Sequence, residues 1–181
     1  MIIISAEHIR AAAGEVRRAI EEMQGPMPPV FVVEFLLKEW RRYLALVHQE
    51  SGEGSEAWGN AVAAMGHLLW SVTPKANATE RASLSEGLAE LVATLKTGMK
   101  EVNTQQDVRD AFLASLSEAH LAILHTAEVP ARPQSEIASA AERPDGAVHG
   151  DDTITMDVRD PRYRELLDLL STDNVEQIDI K

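Results

Sequence analysis

The chain contains no cysteine, few aromatic residues (4%) and no apolar run long enough to cross a membrane. Without cysteine there is no disulfide framework, no thiol nucleophile and no thiolate zinc site, which fits a reducing compartment. The opening Met1-Ile2-Ile3-Ile4-Ser5 has no basic stretch before it, and its apolar run is too short for a signal peptide or a membrane span. Cytoplasm is therefore the expected location. Basic residues are also in deficit, with 17 Lys and Arg against 29 Asp and Glu, a net charge of −12 and a pI near 4.9. A nucleic-acid backbone or an anionic membrane surface needs a cationic footprint, so neither is expected as a partner.

What is present is aliphatic. Apolar residues make up 45% of the 181 positions. With so few rings the core must be built from Leu, Val, Ile, Ala and Met at helical spacing, which favours helices over a β-sandwich. The length suits one core with an appendage. Ile9, Ala13, Val16, Ile20 and Met23 recur at three- and four-residue steps and predict a first helix over about Ser5 to Gln24, capped by Ser5. Gly25-Pro26-Met27-Pro28-Pro29 breaks it, because consecutive prolines remove donors and push their predecessors out of the α region. A second helix, from Pro29 to about Glu50, carries Val30, Val33, Leu36, Leu37, Trp40, Leu44 and Val47. Ser55 caps a third, with Trp58, Val62, Met65, Leu69 and Trp70 on its apolar side, closed by Thr73-Pro74-Lys75. Asn77 and Glu80 form a capping-box pattern for a fourth helix, which runs through Leu84, Leu88, Leu91, Val92 and Leu95 to Gly98 or Met99, with Gly98 marking its last turn unless Met99 and Lys100 carry it slightly further. A fifth is expected from Asn103 or Thr104 to about Ala127, burying Val108, Phe112, Leu116 and Ile123, with Leu113 as a further candidate.

Beyond Glu128 the periodicity stops, and Pro130, Pro133, Pro144 and Gly146 lie among Ser, Ala and acidic residues. The fold expected is all-α: a single bundle of about five helices over residues 1–127, a flexible acidic linker over 128–152 and a short helical tail over 153–181. In the tail, Asp160 caps a short helix with Pro161 at its first position, and Tyr163, Leu166, Leu167 and Leu170 make one apolar edge. So short a helix is not stable alone and must dock. Val175 to Ile180 alternates apolar and acidic residues, as a half-buried strand does.

Three pieces of the middle carry a resemblance. They are Met27-Pro28-Pro29-Val30 leading to Phe35-Leu36-Leu37-Lys38-Glu39-Trp40, then Leu68-Leu69-Trp70-Ser71-Val72-Thr73-Pro74-Lys75 with Glu80-Arg81, and Leu91-Val92-Ala93-Thr94-Leu95-Lys96-Thr97-Gly98. In this order they resemble the bacterial family catalogued as domain of unknown function 1631, whose members often bear an old label of thymidine phosphorylase. The resemblance covers roughly residues 8 to 126. It implies longer relatives with a β-rich C-terminal module like a PilZ-type barrel. Tyr163-Arg164-Glu165-Leu166-Leu167 and Asn174-Val175-Glu176 are similar to the lead-in to that module, but Lys181 comes before a barrel could form, so no cyclic-dinucleotide role is expected. The phosphorylase label finds neither a glycine-rich phosphate loop nor a basic cluster suited to phosphate and a nucleoside.

The candidate sites are few. Trp70, Ser71, Thr73 and Lys75 make a candidate polar pocket, although a tryptophan there reads first as a core anchor and the others as helix-ending residues. His120 and His125, five residues apart on a helix, point in different directions, so no metal site is expected, and His67 reads as an interior histidine. No cofactor and no catalytic residue is assigned. Arg17, Arg18, Lys38, Arg41 and Arg42 gather on the first two helices, either as an ordinary wet face or as a receiver for an acidic partner. The apolar edge of Tyr163, Leu166, Leu167 and Leu170 is the candidate partner-binding segment. The leading expectation is a non-enzymatic interaction or regulatory module that binds a protein partner or a second copy of itself. The alternative is a nucleoside-processing enzyme, as the family's label implies.

Overall fold

The computed structural model of the chain describes residues 2–23, 25–126 and 178–180. The expected linker and the tail helix with Tyr163, Leu166, Leu167 and Leu170 lie outside these residues. The architecture is an all-α bundle with one small ladder, in the order β1 (Ile2–Ile4), α1 (Ala6–Glu21), α2 (Val30–Phe35), a π-helical turn (Leu36–Trp40), α3 (Arg41–Ser51), α4 (Glu56–Ser71), α5 (Ala78–Glu101), α6 (Gln106–His125) and β2 (Ile178–Ile180). Because α2, the π turn and α3 abut without a break, the described residues form five rods. α1 packs chiefly along α3, α3 on α4, α4 on α5 and α5 on α6, while α2 returns to meet α6. β1 and β2 pair antiparallel, with Ile2 opposite Ile180, Ile3 opposite Asp179 and Ile4 opposite Ile178.

Local chemistry sets the ends of the rods. Ser55 Oγ accepts the Trp58 N–H at 3.1 Å, and Asn77 Oδ1 accepts the Glu80 N–H at 2.9 Å, each satisfying a donor that a helix start leaves free. The Glu80 carboxylate reaches back one residue further than a capping box requires, to the Ala76 N–H at 2.9 Å. Ser5 does precede α1, but its side chain caps nothing; its own N–H donates to Gln49 Oε1 at 3.2 Å. Gly52 ends α3 at φ 83°, a left-handed conformation suited to glycine, and its N–H donates to the His48 carbonyl at 3.0 Å.

Two expectations need correction, the start of α6 and the burial of Val108. α5 carries Gly98 in its last turn and runs on through Met99 and Lys100 to Glu101, and Gly98 is buried against Trp40. A Cβ at this position would lie 2.7 Å from Trp40 Cζ3, so glycine is there for a close approach. α6 begins at Gln106, because Asn103 adopts a left-handed φ of 53° in the preceding turn and Thr104 Oγ1 donates to Glu39 Oε2 at 2.6 Å. Val108 is 42% exposed, standing at the rim of a cleft between α2 and α6.

The core runs through Ile4, Ile9, Val16, Val32, Leu36, Trp40, Leu44, Trp58, Met65, Leu68, Leu91, Leu95, Met99 and Leu116. Phe35, Leu36 and Leu37 are buried in succession. The π turn contributes Leu36, Leu37 and Trp40 to the buried interior, so it lies within the core. The Phe35 ring stacks on Phe112 at 3.8 Å between centroids, tying this turn to α6.

Two glycine substitutions of opposite sign test this packing. Gly98→Val is expected to lower unfolding free energy by roughly 1–3 kcal/mol through overpacking against Trp40. Gly66→Ala, at an exposed helical position with nothing within 4 Å of the added Cβ, is expected to raise it by roughly 0.5–1 kcal/mol. Urea denaturation of the two variants beside wild type measures both.

Candidate functional site

The polar residues at the end of α4 form two groups that share the turn into α5. In the first, Lys75 folds back over the helix end. Its Nζ donates to the Trp70 carbonyl at 2.5 Å, to the Thr73 carbonyl at 2.8 Å and to Thr73 Oγ1 at 3.1 Å, and lies 4.0 Å above the Trp70 ring. An ammonium has three hydrogens, and these three acceptors account for all of them. Thr73 Oγ1 in turn donates to the Trp70 carbonyl at 2.7 Å. The carbonyls of a helix end lack intrahelical partners, so Lys75 acts as a side-chain cap. Its pKa is lowered by burial, with Glu80 pulling it back up.

Trp70 itself is 37% exposed and is not the core anchor expected. The buried stripe of α4 passes through Trp58, Ala61, Met65, Leu68 and Leu69, and the next residue falls about 100° further round, at the surface. The cation over its ring covers one face. Trp70 and Thr73 stand on the wall of a cleft of about 380 Å³ between α1 and α4, together with Arg18, Glu22, Met23 and Met65.

Ser71 turns away from this cleft into the second group. It is fully buried, and its hydroxyl donates to the Leu68 carbonyl at 2.7 Å. His120 Nε2 lies 2.9 Å from the same oxygen. With the hydroxyl proton on the Leu68 carbonyl, the Nε2–H tautomer of His120 donates to Ser71 Oγ, whereas the Nδ1–H tautomer accepts from it. In either tautomer the pair is a buried tie between α4 and α6. Burial holds His120 below the ordinary imidazole value, and the Lys75 ammonium and His67 act in the same direction.

The structure thus brings Trp70, Thr73 and Lys75 together and sends Ser71 to His120. That second contact escaped the sequence reading, although a signal existed: His120 continues the buried Phe112 and Leu116 stripe at four-residue steps. A further pair, His8 and His48, meets with Nδ1 atoms 2.6 Å apart, one ring donating and the other accepting. Separated by 40 positions, it leaves no local mark in the sequence. No group of three or more His, Cys, Asp or Glu suited to a metal ion occurs among the described residues. None of the described helices is long and apolar enough to cross a membrane.

The gathered cations of the first helices are largely engaged at home. Arg18 pairs with Glu15, Lys38 with Glu34 at 3.9 Å and Arg42 with Glu39 at 3.2 Å, and Arg42 Nη2 also donates to the Val102 carbonyl at 3.1 Å. A different surface is more apolar. Between α5 and α6 a groove of about 350 Å³ is lined by Leu88, Val92, Leu113, Leu116, Leu121 and Leu124, with Lys96, Ser117 and His120 and no carboxylate among its described residues. Leu121 is 51% exposed there.

The sequence model of the family described as "Protein of unknown function (DUF1631) third domain" matches residues 4–117, from β1 into α6. Neither a curated protein nor a solved structure matches the chain.

The buried histidine makes stability depend on pH in a defined sense. Its folded-state pKa lies below the ordinary value of 6.5, so the unfolded chain binds the proton more readily. Stability is complete above about pH 6.5, falls as pH drops through that value, and levels off below the folded-state pKa. His120→Gln, which keeps a donor for Ser71 but cannot titrate, is expected to flatten this part of the profile, as measured by denaturation midpoints between pH 5 and 7.5.

Proposed function

We propose a non-enzymatic role for this chain, which belongs to the DUF1631 family and carries its third domain: it is a helical interaction or regulatory module that engages another protein through an apolar helical face. The observation that carries the reading is the α5–α6 groove, where half-buried leucines line a concave surface next to the exposed Leu121. An amphipathic helix with apolar anchors three and four residues apart is the ligand such a groove suits. Lys96 on its wall, with no carboxylate in the lining, favours an acidic helix over a basic one.

The polar cluster at the α4 end supports the same reading by the state of its groups. Lys75 has all three hydrogens on acceptors of the turn, and the Ser71 proton is on a main-chain carbonyl. A phosphate or nucleoside would have to compete with those internal partners. The segment with Tyr163, Leu166, Leu167 and Leu170 is the second route proposed for partner contact, through its apolar edge.

Affinity capture from the native cell tests the groove and the tail separately. Leu121→Arg is expected to cut recovery of the specific partner by tenfold or more with no change in thermal midpoint, since the residue is exposed. Deletion of residues 153–181 is expected to weaken capture if the tail contributes. Sedimentation of the wild-type chain shows whether the partner is a second copy. Full recovery by both variants would overturn the reading, as would thymidine phosphorolysis that disappears in Lys75→Ala.

A further inference from the structure

β1 is a short strand in a helical protein, and it is fixed in place. Ile4 is 0% exposed and belongs to the core, β1 packs on α3, and the Ser5 N–H that follows is held by Gln49 Oε1. Ile3, which precedes them, is half exposed. A strand so anchored offers a row of main-chain donors and acceptors at a set position, the requirement for strand addition. The chain's own Ile178–Ile180 is aligned on it, with Ile178 opposite the buried Ile4 and Asp179 opposite Ile3.

We propose that Ile2–Ile4 is a strand-accepting edge and that Ile178–Ile180 is its resident occupant in cis, a releasable latch that returns the acidic tail to the start of α1. The inference stands on the ladder alone, needs neither the groove nor a partner, and so goes beyond the reading above. A ladder of three facing pairs is too short to persist between free strands. Two features hold it here: one strand is already ordered by the bundle, and the other is joined covalently through residues 127–177. A covalent connection gives a strand an effective concentration on the order of millimolar. A second copy in micromolar solution therefore competes poorly, which is why the occupant is assigned to the same chain. Its shortness keeps the latch reversible, and the segment able to displace it is an extended peptide with the same apolar, acidic, apolar order as Ile178-Asp179-Ile180.

The absence of native cysteine makes a clean test available. Ile3→Cys combined with Asp179→Cys in the full chain places two thiols at directly opposed positions, where Cα atoms are roughly 4.5–5.5 Å apart, within disulfide range. Mild oxidation is expected to give a cross-linked monomer, lighter by two hydrogens, in a yield unaffected by tenfold dilution. A cross-linked dimer whose yield falls on dilution would mean exchange between copies and would overturn the assignment. A folded double variant that forms no disulfide would overturn it as well. Should the double variant fail to fold, hydrogen exchange decides: deleting residues 178–181 from the otherwise wild-type chain is expected to speed exchange at least tenfold at the alternate amides of Ile2–Ile4 that face β2, and unchanged protection refutes the latch. A synthetic peptide of residues 174–181, added in excess to the reduced double variant, is expected to slow cross-linking; no effect at millimolar peptide would show that the edge does not accept a strand from solution.

Discussion

Trp40 is where three rods are held in register. Its indole N–H donates to the Ala61 carbonyl of α4 at 3.2 Å, and its ring lies against Gly98 of α5, with Phe35 and Tyr43 at 5.9 and 4.9 Å between centroids. A buried indole must find an acceptor for its one donor, so the hydrogen bond fixes the ring's orientation as well as its depth. The glycine follows from that orientation, since the space a Cβ would occupy is already filled by the indole edge. The π turn belongs to the same arrangement, because Trp40 is its last residue.

With the rods placed by Trp40, the polar groups near their ends serve to finish main-chain hydrogen bonding. Lys75 closes the carbonyl end of α4, and Ser71 with His120 ties α4 to α6. Glu39 gathers Arg42 and Thr104, while Arg42 also holds the Val102 carbonyl, which fastens the α5–α6 turn to the second rod. Residue types that look like chemistry in sequence, a lysine, a serine and a histidine close together, are here each other's partners or caps.

Helix number, the two side-chain caps at Ser55 and Asn77 and the breaks at Gly52 and Pro74 were all legible in the sequence, because each depends on neighbours within four residues. The reading failed where the cause was distant. Gly98 reads locally as the mark of a last helical turn, and only Trp40, 58 positions earlier, shows why the position has no room for a Cβ. Trp70 was expected inside by residue type, yet one step of helical phase and the Lys75 cation keep it at the surface. Asn103 or Thr104 was the expected start of the fifth helix, yet the Thr104 hydroxyl goes to Glu39, 65 positions earlier, and the helix begins at Gln106. Of the candidate pocket, the closeness of Trp70, Thr73 and Lys75 was readable from spacing. The departure of Ser71 toward His120 was not, since it depends on how α6 packs.

The interior bears on how the outside should be read. Among the described residues, Nε of Arg41 is the one buried side-chain polar atom without a hydrogen bond, and the aliphatic stripes of all five rods meet in one cluster around Trp40. A bundle whose core is satisfied to this degree gains little stability from leaving Leu121 in water or Leu88 and Val92 at the wall of an open groove. Exposed apolar surface costs solubility and favours unwanted association, which supports the use proposed above for this groove. The charge balance narrows that use: the chain is acidic throughout, yet the groove lining includes Lys96 and no carboxylate, which removes the repulsion an acidic helix would meet elsewhere on this surface.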